Sequence, residues 1–297
     1  MKIYTIIVTY NGQKWLDFCL GSLRESSIKT VPIIIDNCSS DNTVQYIKEK
    51  YPEAIVFELQ KNLGFGQANN IGLRYALEHN ADYVLLLNQD AAIAPNMLEL
   101  CLEQSDGVSL LSPLHMNGDG SRVDYNFRKN TLITCDVLIN DIFTNQLKKS
   151  YVGEKICAAC WLLPISIVRK VGGFNPLFFH YAEDDNYYHR LIYHKINTRI
   201  VPQAKVYHDR VEFGNKTTYN KLWLPNILLL TACNINLTWS QRLTNYLKIF
   251  LRCYIYKLPL RQYRIGTYFC NICKILLKSQ KISSYRKYEK QQAPTFL

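Results

Sequence analysis

Short apolar runs alternate with segments of helical periodicity up to about Ser112, and this alternation constrains the fold more than any other feature. Each apolar run fits one strand, and each helical segment is long enough to cross over to the next strand. The pattern predicts an α/β fold with a mostly parallel sheet flanked by helices. The predicted strands are Ile3–Val8, Val31–Ile35, Ile55–Leu59, Tyr83–Leu87 and Val108–Leu111. The predicted helices are Trp15–Ser26, Thr43–Lys50 (capped by Asp41), Gln67–His79 and Pro95–Gln104.

The pattern weakens after this region and then resumes. The polar stretch from His115 to Lys155 predicts loop with one short helix, and order returns at Ile156–Pro164. The elements predicted next are helices Ile165–Lys170 and Asn186–Tyr193 and strands Thr198–Val201 and Ala204–His208. We therefore place an α/β domain in residues 1–212.

Basic charge is concentrated after Phe213. The net charge is +11, and from Asn215 to the end Glu289 is the single acid among many Lys and Arg residues. This region, residues 213–297, is also rich in aromatic residues and has helical periodicity. Its charge suits an acidic partner, either membrane lipid or nucleic acid.

The basic region permits two interpretations. Pro225, Asn226 and Asn234 interrupt its most apolar part, Leu222–Leu237, so it lacks the roughly 20 apolar residues of a spanning helix. The residues that could share one apolar helix face are Leu243, Tyr246, Leu247, Ile249, Phe250 and Tyr254. Such a helix either lies on an anionic membrane surface or packs on the first domain. On the membrane interpretation, we expect deletion after Phe213 to release the protein from membranes and to leave ligand binding intact.

The chain is expected to stay in the cytoplasm. Ile3–Val8 is too short for the apolar part of an export signal. The ten cysteines are scattered through apolar segments, which favours reduced thiols acting as small hydrophobic residues. Two pairs have metal-like spacing, Cys157 with Cys160 and Cys270 with Cys273, but their surroundings favour packing.

Polar residues follow four of the predicted strands. They are Thr9-Tyr10-Asn11, then Asp36-Asn37-Cys38-Ser39-Ser40-Asp41, then Lys61-Asn62-Leu63-Gly64-Phe65-Gly66, and Asn88-Gln89-Asp90. The carboxyl ends of parallel strands meet at one edge of the sheet, where ligands bind. Turn formation and capping explain many such residues. Asp36, however, directly follows an apolar run and can accept hydrogen bonds from a nucleobase, and Asp90 can bind a hard cation beside a diphosphate.

A second acidic cluster lies further along the chain. Glu183-Asp184-Asp185 follows the aromatic run Phe178-Phe179-His180-Tyr181. Three acids at a helix start are favourable with the helix dipole, which is one explanation. The other is a general base, since aromatic surroundings would raise a carboxyl pKa. His208 ends a predicted strand and is a candidate second metal ligand, although a single His is usually structural.

Together, in this order and spacing, the segments from Met1 to about Asp209 resemble the family-2 inverting glycosyltransferases of the GT-A fold, particularly bacterial rhamnosyltransferase and galactofuranosyltransferase types. The resemblance implies a Rossmann-like GT-A catalytic domain that binds a nucleotide-diphosphate sugar. The donor-site residues implied are Thr9, Tyr10, Asn11, Asp36, Asn37, Asn62, Gly64, Phe65 and Asn88. It also implies a divalent metal ion, Mn²⁺ or Mg²⁺, held by Asp90 and His208. Asp184, beside Glu183, would be the catalytic base, and Arg190 matches a basic residue of the same helix.

Two positions depart from the family pattern. Asn88 stands where the Asp-x-Asp motif has its first acid, which removes a charge and leaves a neutral contact to ribose or metal. Asn186-Tyr187-Tyr188-His189 replaces more usual apolar and Cys-containing residues after the acids, and this concerns the acceptor pocket.

The resemblance implies transfer of a sugar, with inversion, to a hydroxyl of a glycan or lipid-linked acceptor. The setting would be bacterial surface polysaccharide assembly on the cytoplasmic face of the membrane, with no nucleic acid partner. A nicotinamide-dependent oxidoreductase would need Gly-x-Gly-x-x-Gly after the first strand, where this chain has Thr9-Tyr10-Asn11-Gly12. A sugar nucleotidyltransferase would need a glycine-rich basic loop there. The alternative that stays open is a non-catalytic basic module that binds membrane or nucleic acid.

Overall fold

The computed structural model describes residues 1–209, 216–254 and 265–297. The strands are β1 (Ile3–Thr9), β2 (Val31–Asp36), β3 (Ile55–Glu58), β4 (Tyr83–Leu87), β5 (Ala91–Ile93), β6 (Leu110–Asn117), β7 (Tyr151–Gly153), β8 (Cys160–Pro164) and β9 (Thr198–His208). The helices are α1 (Leu16–Glu25), α2 (Thr43–Lys50), α3 (Phe65–Glu78), α4 (Met97–Glu103), α5 (Tyr125–Asn130), α6 (Asp136–Phe143), α7 (Ile165–Val171), α8 (Glu183–Tyr193), α9 (Lys216–Cys233), α10 (Trp239–Tyr254), α11 (Ile265–Leu277) and α12 (Ser279–Glu289).

The strands form one sheet in the order β3-β2-β1-β4-β8-β6-β9-β5, and β7 also pairs with β9. β3, β2, β1 and β4 run parallel to one another, and β6 runs parallel to β9. β8 is antiparallel to β4. Because the first strands are parallel, their carboxyl ends lie at one edge, and the register places Thr9 opposite Asp36. The predicted α/β class, a Rossmann-like sheet flanked by helices, is confirmed.

Each face of the sheet has its own core, because successive residues of a strand point to opposite faces. Ile6 and Ile33 belong to the core on the side of α3, α7 and α8, whereas Ile7 and Ile34 belong to the core on the side of α1, α2 and α4. Burying each such side chain stabilises the fold by about 1.5–3 kcal/mol. A Cβ at Gly72 would come within 2.7 Å of Ile6 Cγ2, so this glycine lets α3 pack closely on β1.

Several predicted element boundaries are wrong. The strand predicted to begin at Val108 begins at Leu110 and continues to Asn117, within the stretch predicted as loop. That stretch also contains α5, α6 and β7. Pro95 precedes α4 instead of lying in its first turn. The two strands predicted within residues 198–208 are one strand, β9, and its pairing with β6 is irregular after Pro113.

The C-terminal helices pack on the α/β domain. Phe178 and Ala182, which precede α8, share a buried apolar cluster with Leu230 and Ala232 of α9 and with Ile282 of α12. The predicted domain boundary between residues 212 and 213 lies outside the described residues. Among the described residues after that boundary, α9 and α12 pack on the α/β domain.

The last residues of the chain return to the end of α7. Gly173 N donates to Thr295 O at 2.8 Å, and Thr295 Oγ1 donates to Val171 O at 3.0 Å. Gly172 has a φ of +82°, and a Cβ there would lie 2.1 Å from Thr295 O. Leu297 packs against the core on the side of α3. The last residues therefore pack on the α/β domain, and the expectation that ligand binding survives deletion after Phe213 stays a prediction.

The predicted amphipathic face of α10 is divided in the structure. Ile249 and Cys253 are buried against α9, whereas Leu243 and Leu247 are 54% and 57% exposed. One half of this face therefore packs on the protein and the other half is open, and membrane binding by the open half stays a prediction. Within the described ranges, no helix is long and apolar enough to cross a membrane.

All ten cysteines are free thiols. Cys19, Cys101 and Cys160 are buried and pack as small apolar side chains, as predicted. Cys270 and Cys273 are exposed on α11, so the predicted packing role is wrong for this pair.

Candidate active site

The Asp36 carboxylate joins the ends of β1 and β2. Thr9 Oγ1 donates to Asp36 Oδ1 at 2.9 Å, and the hydroxyl and amide of Ser39 donate to its two oxygens at 2.5 and 2.9 Å. Thr9 is fully buried, so its part in a ligand site is to hold Asp36. An ionised carboxylate has about four acceptor sites, so Asp36 keeps capacity for a further donor.

Asn11 fixes the same loop from the side of β1. The backbone N–H of Asn11 donates to Ser39 Oγ at 2.9 Å, and its side-chain Oδ1 accepts from Ser40 N at 2.8 Å. It has a φ of +47°, a left-handed conformation that Asn adopts more readily than most residues. Tyr10, which precedes it, is 48% exposed at the open edge of the sheet.

The loop after β4 is held to the end of β1 by Gln89. Tyr10 N donates to Gln89 Oε1 at 2.9 Å, and Gln89 Nε2 donates back to Tyr10 O at 3.3 Å. A Cβ at Gly12 would lie 2.1 Å from Gln89 Oε1, so only glycine permits this approach. Gln89 was not among the predicted site residues, although its position between Asn88 and Asp90 was the available signal.

Asn37 and Asn62 connect the loops after β2 and β3. Asn37 Nδ2 donates to Asn62 Oδ1 at 2.9 Å, and Asn62 Oδ1 also accepts from Gly64 N at 2.9 Å. Gly64 has a φ of +80°, and a Cβ there would lie 2.0 Å from Phe179 O. The loop after β3 is therefore in direct contact with the segment that leads to α8. Phe65 packs edge to face on Phe174 and is half-buried.

Asp90 and His208 are side by side, as the sequence predicted. Asp90 Oδ1 lies 3.1 Å from His208 Nε2, and Asp209 N donates to Asp90 O at 2.8 Å. His208 is 3% exposed, and its Nδ1 lies 4.0 Å from Oδ2 of Asp124, a buried residue that also caps α5. Asp124 was missed because its surroundings read as loop; an Asp three residues before Phe127 was the capping signal.

The donor set at Asp90 fits a divalent cation in part. In residues 1–209, 216–254 and 265–297, no group of three or more His, Cys, Asp or Glu residues is placed to hold a metal. Two ligands from the protein suffice for a cation that also binds substrate phosphates. The Asn88 side-chain Oδ1 is buried without a hydrogen-bond partner among the described residues, and such an oxygen suits a hard cation or a hydroxyl donor.

Glu183 and Asp184 open α8 after two residues in left-handed conformation. Tyr181 and Ala182 have φ values of +65° and +70°, a strained geometry for residues with a Cβ. Burial, and next the charge of Asp184, raises the pKa of Glu183, whose Oε2 has no partner in the described chain. Burial, and next the charge of Asp185, raises the pKa of Asp184. Both carboxyl groups therefore have raised pKa values, and the role of Asp184 as a general base stays a prediction.

Lys155 is a site residue that the sequence did not reveal. Its Nζ forms an ion pair with Asp185 Oδ1, and its charge opposes the rise in the pKa of Asp184. It lies between β7 and β8, in the stretch predicted as loop, and nothing in its sequence surroundings singles it out from other lysines.

Direct contacts connect most of the predicted residues. The loops bearing Asp36, Asn37 and Asn62 are bonded together, and Gln89 joins the end of β1 to the loop that carries Asp90. A Cβ at Gly66 would lie 3.6 Å from Glu183 Cβ, which brings the acids against the start of α3. No hydrogen bond or ion pair within the described part links Asp184 directly to Asp90. Arg190 is fully buried and donates to Gly173 O and Val171 O, so it supports the loop before α8.

Comparison with known proteins agrees with this geometry. The family model described as glycosyl transferase family 2 matches residues 4–172. An N-acetylglucosaminyl-diphospho-decaprenol L-rhamnosyltransferase of Mycobacterium tuberculosis is 25% identical over 230 residues, which cover 69% of this chain and 75% of that protein. The dTDP-rhamnosyl transferase RfbF of Shigella flexneri is 24% identical over 215 residues, 70% of this chain and 69% of that protein.

Solved structures share the fold at low sequence identity. S. aureus TarS 1-349 in complex with UDP-GlcNAc superposes with a TM-score of 0.60 at 15% identity, over 98% of this chain and 88% of that one. The mannosyltransferase PcManGT from Pyrobaculum calidifontis, in complex with GDP-Man and Mn²⁺, gives a TM-score of 0.60 at 14% identity, over 97% and 84%. The fold is GT-A, and the chain belongs to glycosyl transferase family 2, whose members are sugar-transferring enzymes.

Proposed function

We propose that this enzyme transfers a sugar, with inversion, from a nucleotide-diphosphate donor to a hydroxyl of a glycan or lipid-linked acceptor in bacterial surface polysaccharide assembly. One observation carries the proposal. The loop after β3 forms a hydrogen bond with Asn37, the neighbour of Asp36, and the same loop contacts the segment that leads to Glu183 and Asp184. The loops proposed to bind the nucleotide are therefore in contact with the segment that leads to the acids proposed for proton transfer. The names of the two rhamnosyltransferase relatives support such a donor and acceptor.

Asp36 and its neighbours would bind the nucleotide. The Asp36 carboxylate is held at the edge by Thr9 and Ser39 and accepts hydrogen bonds from the base. The exposed ring of Tyr10 offers a surface for stacking, and Asn11 keeps that loop in place. Asn62, which is exposed, and the backbone at Gly64 would lie over the rest of the donor.

Asp90 and His208 would hold a divalent metal ion, Mn²⁺ or Mg²⁺. Their oxygen and nitrogen are 3.1 Å apart, close enough to be adjacent ligands of one ion, and the donor diphosphate would complete its coordination. When bound, the ion neutralises the charge that develops on the leaving diphosphate. Asn88 would make a neutral contact to the ribose or the metal.

Asp184 is the proposed general base. It takes the proton from the acceptor hydroxyl while that oxygen attacks the anomeric carbon; the bond from that carbon to the diphosphate oxygen breaks, and the nucleoside diphosphate leaves with the electron pair. A single displacement from the opposite face inverts the anomeric centre. Glu183 is more deeply buried and lacks a cation that opposes its pKa rise, so it would stay protonated beside the ionised Asp184.

We further propose that the enzyme works at the cytoplasmic membrane surface. The open half of the α10 face carries Leu243 and Leu247, and Arg242 and Lys248 lie on the same helix. An apolar face beside basic side chains suits an anionic lipid surface. Binding to neutral and anionic vesicles by the full chain measures this directly; equal binding to both would contradict it.

A donor screen tests the proposed reaction. We expect one or more sugar nucleotides, with Mn²⁺, to raise the melting temperature, since ligand at about 100 times its Kd stabilises by about 2.7 kcal/mol. With that donor, Asp184→Asn is expected to lose transfer by at least about 100-fold while donor binding is retained. Near-normal transfer by Asp184→Asn would show that another group is the base. Absence of a response to every donor would favour a non-catalytic binding module.

A further inference from the structure

A groove lies between α9, α10, α11 and α12; its lining includes none of the proposed donor, metal and base residues, and it shares Arg242 and Leu243 with the proposed membrane-facing side of α10. Its volume is about 340 Å³, within the range of small-ligand sites. The larger apolar residues that line it are Trp239, Leu243, Tyr246, Ile275, Leu276 and Ile282. The polar residues that line it are Arg242, Arg286, Ser279 and Ser283, and none of its described lining residues is acidic.

The two arginines make the groove an anion site. Arg286 is anchored around the C-terminal end of α9, because it donates to Ala232 O at 3.1 Å, to Leu237 O at 3.3 Å and to Asn234 O. The Arg242 guanidinium makes no hydrogen bond or ion pair within the described part of the chain. Arg242 and Arg286 both line the groove, and burial and, next, the charge of Arg242 lower the pKa of Arg286. A phosphate between them would relieve this repulsion, because guanidinium groups bind phosphate oxygens in pairs.

The rest of the groove suits a hydrocarbon chain. Trp239 is 72% exposed and Leu276 is 63% exposed, and Leu277 beside the groove is 87% exposed. Adjoining apolar side chains at such exposure mark an interaction surface. A cationic pair against an open apolar wall is complementary to a molecule with a phosphate head and an apolar tail.

The groove shares two residues with the apolar cluster that holds the segment before the proposed catalytic acids. Ala232 and Ile282 line it, and the same two residues pack with Phe178 and Ala182. Ala182 directly precedes Glu183. The groove and the segment that leads to the acids are therefore connected through one apolar cluster.

We propose that this groove binds the phosphate and the adjoining apolar chain of the lipid-linked acceptor. The inference rests on the proposed transferase function and names the acceptor class for it: a phosphorylated single-chain lipid whose sugar reaches the edge of the sheet at Asp184. Arg242 binds the phosphate, and Trp239 and Leu243 contact the chain.

Titration calorimetry of the full chain with farnesyl phosphate tests this site. We expect saturable binding that Arg242→Gln weakens by roughly tenfold or more and that Arg242→Lys partly retains. Arg252→Gln is the matched control, because Arg252 has the same charge on the same helix but is outside the groove. It is expected to bind as the wild type does. Unchanged affinity in Arg242→Gln, or equal binding of uncharged farnesol, would overturn the phosphate site.

Two further experiments distinguish binding in the groove from general membrane binding and test the groove independently of the proposed reaction. The protein is expected to bind more tightly to neutral-lipid vesicles that contain farnesyl phosphate than to vesicles in which phosphatidylglycerol supplies an equal negative charge. Equal binding to the two would mean that the groove contacts bulk lipid and would overturn the inference. Asp184→Asn is expected to bind farnesyl phosphate normally. Farnesyl phosphate binding without any donor response would contradict the proposed function alone, whereas donor response without farnesyl phosphate binding would contradict the groove alone.

Discussion

Replacing Lys155 by Met is expected to move the acidic limb of the pH–rate profile to higher pH. Asp184 must be ionised to act as a base, so the rate falls as the pH falls through its pKa. The Lys155 cation lowers that pKa, against burial and the charge of Asp185, which raise it. In Lys155→Met the opposing cation is lost and the Asp185 charge remains. Both effects raise the pKa of Asp184, and activity is lost at a higher pH than in the wild type.

The size of this shift follows from the exposure of Lys155. A unit charge about 4 Å from a carboxylate is worth about 1 kcal/mol in water and about 4 kcal/mol near a protein surface. The Lys155 side chain is 39% exposed, so solvent screens it and the lower figure applies. Because one pKa unit corresponds to about 1.4 kcal/mol, we expect a shift of roughly 0.5–1 pH unit.

The assay is kcat/KM as a function of pH, which reports the free enzyme. Glu183, Asp185 and Lys155 interact with the Asp184 carboxyl, and His189 interacts with Asp185 and Lys155, so the limb belongs to this coupled set. Lys155→Arg is expected to keep the wild-type limb, and the double variant Lys155→Met with Asp185→Asn is expected to bring it back toward the wild type. Lys149→Met, an exposed residue of the same stretch, is the control. If Lys155→Met does not shift the acidic limb of kcat/KM, the assignment of Asp184 as the base and of Lys155 as its stabilising cation is refuted.

Three other substitutions test the scaffold and the proposed metal ligands. Gly64→Ala is expected to lower the free energy of unfolding by about 3 kcal/mol or more, because it adds a clash with Phe179 O to backbone strain. Gly107→Ala, at φ +74° in open space, has only the strain of about 1 kcal/mol and is the control. Denaturant titration compares the two variants, and equal losses of stability would contradict the contact. Asp90→Asn is expected to weaken Mn²⁺-dependent donor binding at least tenfold by calorimetry, and an unchanged Mn²⁺ dependence would exclude it as a ligand. Deleting residues 291–297 is expected to lower the melting temperature by roughly 2–4 °C for each kcal/mol of stability lost, and an unchanged value would show that the last residues add little to the fold.

The sequence was sufficient for the parts of the fold that depend on local pattern. The run Tyr83–Leu87 and the helix Thr43–Lys50 have the predicted bounds, because apolar runs and caps are encoded within a few residues. The contact of Asp90 with His208 was also predictable, since both residues follow or end strands and strand ends converge. Thr43 N donates to Asp41 Oδ1 at 3.1 Å, but Asn42 occupies the cap position of α2, so Asp41 supports the start of the helix without being its cap residue.

The remainder depended on contacts between residues far apart in the chain. Gln89 pairs with the backbone of Tyr10 only because β1 and β4 are neighbours, and no local pattern announces a side chain that pairs with a strand end. Lys155 reaches Asp185 from a loop that has no periodicity. The strand β5 is too short to show alternation and is formed by pairing with β9.

The C-terminal region illustrates the same limit with a functional consequence. Composition separates it from the α/β domain, yet Asn175 Nδ2 donates to Glu289 Oε1 at 2.7 Å, and the His194 ring donates to Glu289 O at 2.8 Å. Arg190 Nη2 also donates to Thr295 Oγ1 at 3.2 Å. Residues from the end of the chain therefore hold both sides of the loop that runs from α7 to the acids at the start of α8. Since a general base must be held within a fraction of an ångström of its substrate, the basic region is part of the scaffold of the proposed active site, whatever its outer face binds.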